Sequence, residues 1–240
     1  ERKARATIVL TPVDNPTAYG LVDTDPNGSV RRFLEKPNPD EITTKNVNAG
    51  IYILEPDTFD RIPSNVAWSI ERSYFPSLVE RKETFVAYVY RGYWIDIGTP
   101  EKYVQVHRDI MDQRFKAEPF GSQRRSAKHV AVDVRIEDGA ALEGPCFVDE
   151  GCLIKAGARV HPYSVIGRHS VIEEGAVVSN AIIWPNCRIS RDSVVQGAIL
   201  GRHCHIGRNV TIEGGVILGD KSVVTDFSRL TPALLEPGRK

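Results

Sequence analysis

The stretch that decides the fold is Ile154–Val178, IKAGARVHPYSVIGRHSVIEEGAVV, in which a branched aliphatic residue returns at every sixth position. Counting in sixes from Ile136, with two five-residue steps, extends the series to sixteen aliphatic positions that end at Val224. An amphipathic helix would repeat about every 3.6 residues, so this period predicts short strands separated by corners and stacked as a solenoid. The series is Ile136, Leu142, Val148, Ile154, Val160, Ile166, Ile172, Val178, Ile183, Ile189, Val195, Leu200, Ile206, Ile212, Leu218 and Val224.

The fourth residue after each aliphatic is usually small, and all four cysteines, Cys146, Cys152, Cys187 and Cys204, occupy this position. The pattern resembles the hexapeptide repeat of the left-handed parallel β-helix, in which three hexads make one triangular turn, so we expect about five turns. We expect the cysteines to be compact, reduced core residues. The run His203-Cys204-His205 does not predict a zinc site, because adjacent strand residues point to opposite faces.

The composition limits the class of protein. The chain has 240 residues, which is between one and two average domains, and its 31 basic residues balance 31 acidic ones. Zero net charge gives no whole-protein attraction to nucleic acid or an anionic membrane. We find neither an apolar span of about 20 residues nor a signal peptide, and we expect a cytoplasmic protein. Because the only methionine is Met111, we expect the C-terminal part of a longer protein.

The first half of the chain reads as an α/β region. Turn residues Asp25-Pro26-Asn27-Gly28 separate two of its predicted strands. A helix is expected after Ser69, and a second one with Thr99 as N-cap and Pro100 at its first position. The predicted strands are Ala6–Val13, Tyr19–Asp23, Val30–Leu34, Asn48–Leu54 and Thr84–Tyr90.

The domain boundaries follow from the change of pattern. We expect an α/β domain over 1–114, a linker over 115–129, the β-helix over 130–228 and a C-terminal tail over 229–240. The linker is polar and its Arg124-Arg125 pair is typical of a solvated surface. Val223–Leu235 is expected to cap the solenoid or to contact another subunit, and we expect a homo-oligomer formed through the β-helix.

Four short motifs in the first half resemble the sugar nucleotidyltransferases, also called nucleotide-sugar pyrophosphorylases. They are Tyr19-Gly20, Phe33-Leu34-Glu35-Lys36-Pro37, Asn48-Ala49-Gly50-Ile51-Tyr52 and Tyr93-Trp94-Ile95-Asp96-Ile97-Gly98-Thr99-Pro100-Glu101. Each motif alone is weak evidence for this family, whereas the order and spacing of all four together are specific to it. The resemblance implies the C-terminal part of a Rossmann-like nucleotidyltransferase domain, followed by a left-handed parallel β-helix.

The resemblance also implies a reaction and a set of site residues. A hexose-1-phosphate oxygen attacks the α-phosphate of a nucleoside triphosphate and pyrophosphate leaves. Asp96 resembles the ligand of a catalytic Mg²⁺, and Lys36 the lysine that holds the sugar phosphate. Glu35 and Asn48 resemble residues that hydrogen-bond sugar hydroxyls. The remaining substrate-binding positions implied by the motifs are Tyr19, Gly20, Ala49 and Gly50.

Within this family the chain looks most like the mannose-1-phosphate guanylyltransferases. Ser69-Ile70-Glu71-Arg72, which leads into Phe75-Pro76, carries this finer likeness together with Gly92–Gly98. GTP and mannose-1-phosphate are therefore the favoured substrates. Thymidylyl-, uridylyl- and adenylyltransferases acting on glucose-1-phosphate share most of the same residues and stay open as alternatives.

The family's glycine-rich nucleotide-binding motif and the second aspartate that shares its metal are not found among these 240 residues. We therefore expect this chain alone to supply the sugar side of the site and to transfer nothing.

Two other classes of function stay open. Hexapeptide β-helices occur in acyltransferases that use a histidine as base, for which His161, His169, His203 and His205 are the candidates. Non-catalytic partners of pyrophosphorylases are built from the same two domains. Retention of Glu35, Lys36, Asn48 and Asp96 favours an enzyme over such a regulatory subunit.

Overall fold

The structure is a computed structural model that describes residues 2–121 and 127–232. The chain divides into two compact units, Glu1–Trp94 and Ile95–Lys240. Within the described ranges, no helix is long and apolar enough to cross a bilayer. The Arg124-Arg125 pair and the last residues of the expected Val223–Leu235 cap lie outside the described residues.

The first unit is built on a five-stranded sheet of order β3-β2-β4-β1-β5. Strand β1 pairs parallel with β5, and the other pairs are antiparallel. All five strands predicted from sequence are present, with ends that differ by one or two residues. The strands are β1 (Ala6–Pro12), β2 (Gly20–Thr24), β3 (Val30–Glu35), β4 (Asn46–Leu54) and β5 (Phe85–Val89).

The Asp25–Gly28 turn joins β2 to β3, as predicted. The Gly28 N–H donates to the carbonyl of Asp25 at 2.9 Å, and the Asp25 carboxylate accepts from the N–H groups of Asn27 and Ser29. The hydrogen bond from Ser29 has the largest effect on the pKa of Asp25, and together with that from Asn27 it holds this pKa below its ordinary value. Short 3₁₀ helices occur at Pro39–Glu41 and Pro56–Arg61.

The helix expected after Ser69 is present in two parts. The Ser69 side chain accepts from the N–H of Arg72 at 3.0 Å, and the first turn, Ile70–Tyr74, is π-helical. Helix α1 (Phe75–Glu80) continues from it. Phe75 and Leu78 are fully buried in the core cluster of the sheet. The helical segment thus covers one face of the sheet.

Helix α2 (Pro100–Met111) begins as predicted, because the Thr99 side chain accepts from the N–H of Lys102 at 3.3 Å. The sequence places this helix in the domain 1–114, whereas its contacts group it with the solenoid. The Arg108 guanidinium donates to Asn180 Oδ1 at 2.8 and 3.1 Å, and the Tyr163 hydroxyl donates to Asp112 at 2.9 Å. These bonds fix α2 against the stacked turns.

The second half of the chain is a parallel β-solenoid, as the six-residue period predicts. Between residues 127 and 232, which the structure describes, eighteen short strands form three parallel sheets of six strands each, which makes six turns rather than the expected five. The additional hexads contain Val130 and Leu230, which continue the lattice at its two ends and pack partly buried against the core. The strands therefore run from Lys128 to Leu230.

Two strands, Val223–Val224 and Arg229–Leu230, lie within the segment Val223–Leu235 that is expected to cap the solenoid or to contact another subunit. The solenoid strands are β6 (Lys128–Val130), β7 (Arg135–Ile136), β8 (Ala141–Leu142), β9 (Cys146–Val148), β10 (Leu153–Ile154), β11 (Arg159–Val160), β12 (Ser164–Ile166), β13 (Val171–Ile172), β14 (Val177–Ser179), β15 (Ile182–Ile183), β16 (Arg188–Ile189), β17 (Val194–Gln196), β18 (Ile199–Leu200), β19 (His205–Ile206), β20 (Thr211–Ile212), β21 (Ile217–Leu218), β22 (Val223–Val224) and β23 (Arg229–Leu230).

The four cysteines are buried in the solenoid interior as free thiols. Burial raises the pKa of Cys187 to about 12, and the pKa values of Cys146 and Cys152 to about 11. Cys204 is buried whereas His203 and His205 are exposed, so this run divides between two faces as predicted. Among residues 2–121 and 127–232, no three His, Cys, Asp or Glu side chains are grouped so that they could hold a metal ion.

Candidate functional site

The sugar-binding motifs of the first unit meet around Gly20, at the start of β2. Gly20 pairs with Glu35 across the β2–β3 hairpin. A Cβ atom at position 20 would lie 2.8 Å from Phe33 Cζ, closer than real Cβ atoms come, and 3.0 Å from Glu35 Oε2, at the flexible end of that side chain. Glycine is therefore favoured sterically at this position, which lies beside the Glu35 carboxyl group.

The Asn48 side chain makes three hydrogen bonds within the site. Its side-chain Nδ2 donates to the Tyr52 hydroxyl at 2.7 Å and to Glu71 Oε1 at 2.9 Å. Its Oδ1 accepts from the backbone N–H of Gly50 at 2.9 Å. Both amide hydrogens are engaged, so the orientation of this buried side chain is set by its neighbours.

Glu35 lies close enough to Glu71 for the charge of one carboxyl group to act on the other. Burial raises the pKa of Glu35 above its ordinary value and the charge of Glu71 raises it further, against the opposing effects of Lys36 and Arg72. Glu35 Oε2 is buried and accepts no hydrogen bond from the described residues. An unsatisfied carboxyl oxygen beside a second carboxyl group is costly and marks a group prepared for a partner.

Lys36 follows Glu35 in a left-handed backbone conformation with φ of 52°. Its N–H donates to the carbonyl of Tyr19 at 3.1 Å, which ties the Phe33–Pro37 motif to the Tyr19-Gly20 motif. The side chain is exposed. Non-glycine residues in this conformation are uncommon and concentrate at functional sites, where the surrounding structure holds them.

Trp94 joins the third motif to the fourth. Its indole N–H donates to the carbonyl of Ala49 at 3.2 Å, and its ring meets that of Tyr19 edge-on with centroids 5.7 Å apart. Gly50 has φ of +79°, and no atom lies within 4 Å of where its Cβ would be. Open space beside Gly50 leaves its backbone accessible to a ligand.

Asp96 belongs to the second unit and is exposed. A Cβ at position 98 would lie 3.3 Å from Asp96 Oδ2, so Gly98 leaves the carboxylate uncrowded. The structure thus brings Tyr19, Gly20, Glu35, Lys36, Asn48, Ala49 and Gly50 together in the first unit and places Asp96 in the other.

The four histidines considered for acyl transfer all lie on the solenoid. His169 and His203 are exposed corner residues with φ of 56° and 59°. His161 Nδ1 lies 2.9 Å from Glu143 Oε2 in a partly exposed pair. His205 is exposed on β19. A paired surface histidine of this kind is common in structural roles.

Sequence reasoning left three members of this network out of the site: Tyr52, Glu71 and Trp94. Each lies within a motif that was recognised, so a signal existed. Their roles depend on contacts between segments far apart in sequence, such as the Asn48–Glu71 hydrogen bond, which joins β4 to the π-helical turn.

Comparison with known proteins matches both halves of the chain to families. Residues 1–113 match the family model of the nucleotidyl transferases, and residues 142–239 match that of the GMPPB C-terminal domain.

Individual relatives fall into two substrate groups. A UTP--glucose-1-phosphate uridylyltransferase from Synechocystis sp. is 33% identical over 193 residues, which cover 79% of this chain and 50% of the relative. A probable mannose-1-phosphate guanylyltransferase 1 from Oryza sativa subsp. japonica is 34% identical over 185 residues, or 74% and 49% of the two chains. A mannose-1-phosphate guanylyltransferase from Mycobacterium tuberculosis is 33% identical over 177 residues, or 73% and 48%.

The chain spans about half the length of the curated relatives that it matches. The two matched ranges cover most of its residues, and the motifs of the first unit and the solenoid of the second lie within them. The chain belongs to the sugar nucleotidyltransferase family, in the group whose transferase domain is followed by a hexapeptide-repeat β-helix.

Proposed function

We propose that the protein, expressed from its complete reading frame, transfers a nucleotidyl group from a nucleoside triphosphate to a hexose-1-phosphate. The preferred pair is GTP with mannose-1-phosphate. The observation that carries the proposal is the convergence of Gly20, Glu35 and Asn48 in the first unit, within the range that matches the nucleotidyl transferases.

The residues of the first unit would bind the hexose-1-phosphate. Lys36 supplies a compact positive charge for the phosphate. Glu35 and the Asn48 network recognise sugar hydroxyls, and a hydrogen bond left unmade there costs about 1–3 kcal/mol. Tyr19 and Trp94 flank the same region. In such a displacement, positioning and electrostatics supply most of the catalysis, so no covalent intermediate with the protein is needed.

A divalent cation would neutralise the crowded phosphates, and we propose Asp96 as a ligand of Mg²⁺ on the basis of its motif. Two unit charges 4 Å apart interact by about 4 kcal/mol at an effective dielectric near 20. An exposed, uncrowded carboxylate suits this hard ion. Mg²⁺ usually keeps several waters and binds through one or two carboxylates and the substrate phosphates.

The choice of substrates rests on the Ser69–Arg72 segment, because relatives of both substrate groups match the chain at similar identity. A glucose-1-phosphate uridylyltransferase is therefore the second candidate, favoured by the Synechocystis relative.

We also propose that copies associate through the solenoid, since Val223 and Phe227 near its C-terminal end are more than two-thirds exposed. A monodisperse monomer in light scattering would contradict that association.

Pyrophosphate release tests the proposed reaction. The protein from the complete reading frame is assayed with Mg²⁺ across GTP, UTP, ATP and dTTP, each with mannose- and glucose-1-phosphate. We expect selective turnover of GTP with mannose-1-phosphate and its loss in Asp96→Ala. Turnover by UTP with glucose-1-phosphate would select the second candidate, and turnover by no pair would reject the proposed reaction and favour a regulatory role.

A further inference from the structure

Helix α2 is anchored to the solenoid near its C-terminal end. The Arg108 guanidinium donates to Asn180 Oδ1 at 2.8 and 3.1 Å and lies over the Tyr163 ring, 5.8 Å from its centroid. The Tyr163 hydroxyl donates to Asp112 at 2.9 Å. We call these four residues the α2 clamp. A planar guanidinium that is hydrogen-bonded through two nitrogens and stacked on a ring is fixed in direction as well as in position.

The clamp uses one corner of the solenoid, which leads from β11, β14, β17 and β20 to the next strand. Left-handed residues with φ between 49° and 88° occupy this corner in successive turns: Tyr163, Asn180, Gly197 and Gly215. Backbone hydrogen bonds stack the corner, since the N–H of Gly197 donates to the carbonyl of Ser179 and that of Gly215 to the carbonyl of Gly197. The first two corner residues reach α2 with their side chains, whereas the two glycines have no side chain to offer.

Packing is open beside the N-terminal half of α2. A cavity of about 430 Å³ lies between helix residues that include Glu101 and Val104 and the glycine corner. A second cavity, of about 360 Å³, is lined by residues 97–100 and by Ile199 and Ile217 of the solenoid. A helix end that adjoins cavities gains less from packing. The direction of this half of α2 therefore depends on the clamp.

Asp96 lies at the end of the helix away from the clamp. It precedes the N-cap Thr99 by three residues and belongs to the same compact unit as the solenoid. From Arg108 to Pro100 the helix is about 12 Å long, so a tilt of about 5° about the clamp moves its first turn by about 1 Å. A displacement of about 1 Å at a positioned group can lower a catalytic rate about a hundred-fold.

We propose that Arg108 is a positioning residue for the transfer reaction, which sets the place of the Asp96 carboxylate through α2. Asn180 and Tyr163 hold Arg108 and act with it. The solenoid then helps to place a reacting group without itself touching the substrate. The inference rests on the proposed function, because Asp96 is the proposed ligand of Mg²⁺.

The test compares Arg108→Met with Arg159→Met in the protein from its complete reading frame. Methionine keeps an unbranched side chain and removes the guanidinium, and Arg159 is an exposed arginine of β11 in the same unit. We expect Arg108→Met to lower kcat about a hundred-fold. Its KM for hexose-1-phosphate should stay within about two-fold, because the residues proposed to bind this substrate lie in the first unit. Arg159→Met should match the wild type in both constants.

Hydrogen exchange gives a readout that does not depend on turnover. In Arg108→Met, peptides within 95–104 should exchange at least about three-fold faster than in the wild type, and peptides within 130–160 should be unchanged. Tyr163→Phe removes only the hydroxyl that donates to Asp112, and it should change kcat and exchange in the same directions by smaller factors. This milder variant carries the test if Arg108→Met does not fold.

Two results would overturn the inference while leaving the proposed function intact. One is a folded Arg108→Met protein with wild-type kcat. The other is wild-type exchange across 95–104 in that variant, whatever its kcat. Absence of wild-type turnover with every substrate pair would reject the proposed function itself, and this inference with it.

Discussion

The solenoid and the sheet unit solve the problem of burial in opposite ways. Each turn of the solenoid covers the one before it, and the inward residues Ile154, Ile166 and Ile172 are completely buried. Among the described residues, the helical segment covers one face of the sheet of the first unit. On its other face, Ile51, Ile53 and Tyr88 are 56%, 75% and 62% exposed.

This difference in burial indicates that the solenoid contributes mainly stability, whereas the first unit carries the candidate site. Repetition gives the solenoid a uniform core of aliphatic and small residues, and its thiols are held neutral by burial. The first unit departs from regularity where its candidate site lies, at the left-handed Lys36, the π-helical turn and the buried Glu35 Oε2, which has no hydrogen-bond partner among the described residues. Such departures cost stability and are retained where they serve function.

The largest expected effect comes from placing a charge in the solenoid. Ile166→Asp should destabilise the 240-residue chain by more than about 3 kcal/mol, because an unpaired carboxylate would be buried among aliphatic side chains. The matched change Ile53→Asp, on the exposed sheet face, should stay within about 0.5 kcal/mol. Urea unfolding measures both. Equal stability of the two variants would show that the six-residue register is wrong.

An intermediate effect is expected within the site. Gly20→Ala forces a methyl group against Phe33 and Glu35 and should cost about 1–3 kcal/mol in unfolding free energy. Gly50→Ala meets no neighbouring atom, so only its positive φ is penalised, by about 1 kcal/mol. Thermal and urea denaturation of the two variants measure their free energies of unfolding, and so compare the cost of steric crowding at position 20 with that of backbone strain at position 50. A Gly20→Ala variant no less stable than Gly50→Ala would contradict the close approach at Gly20.

The smallest effect concerns the thiols. Burial raises the pKa of Cys187 to about 12 in the folded chain. As the pH rises, the thiol therefore ionises in the unfolded chain before it ionises in the folded chain. The contribution of Cys187 to the free energy of unfolding is complete below about pH 8.5 and is lost as the pH approaches 12. The slope of unfolding free energy against pH above 9 should be shallower in Cys187→Ala. A slope identical to that of the wild type would show that this thiol is accessible and ionises normally.

The sequence predicted the solenoid well because its core residues recur at a nearly constant interval of six. Each inward aliphatic reports its position without reference to distant residues, and the interval of six fixes which residues stack. The undercount of one turn arose at Val130 and Leu230, where the polar neighbours of the end hexads weaken the pattern. The sequence did not reveal that α2 groups with the solenoid, because this grouping depends on individual hydrogen bonds such as that from Arg108 to Asn180.

The candidate site was predicted in part. The motifs located Gly20, Glu35 and Asn48, and the structure brings these residues together. The Glu71 contacts could not be read from sequence, since they require β4 and the π-helical turn to meet. The π-helical geometry itself depends on local backbone hydrogen bonds that no periodicity reports.

Hydrogen exchange measured by mass spectrometry, with and without mannose-1-phosphate, tests most directly the claim that the first unit carries the hexose site. The protein from the complete reading frame is used, with glucose-1-phosphate as the comparison ligand. We expect slower exchange in peptides that contain Gly20, Lys36 and Gly50, and unchanged exchange across solenoid peptides within 130–228. Protection confined to the solenoid, or no protection at a saturating concentration of either sugar phosphate, would contradict it.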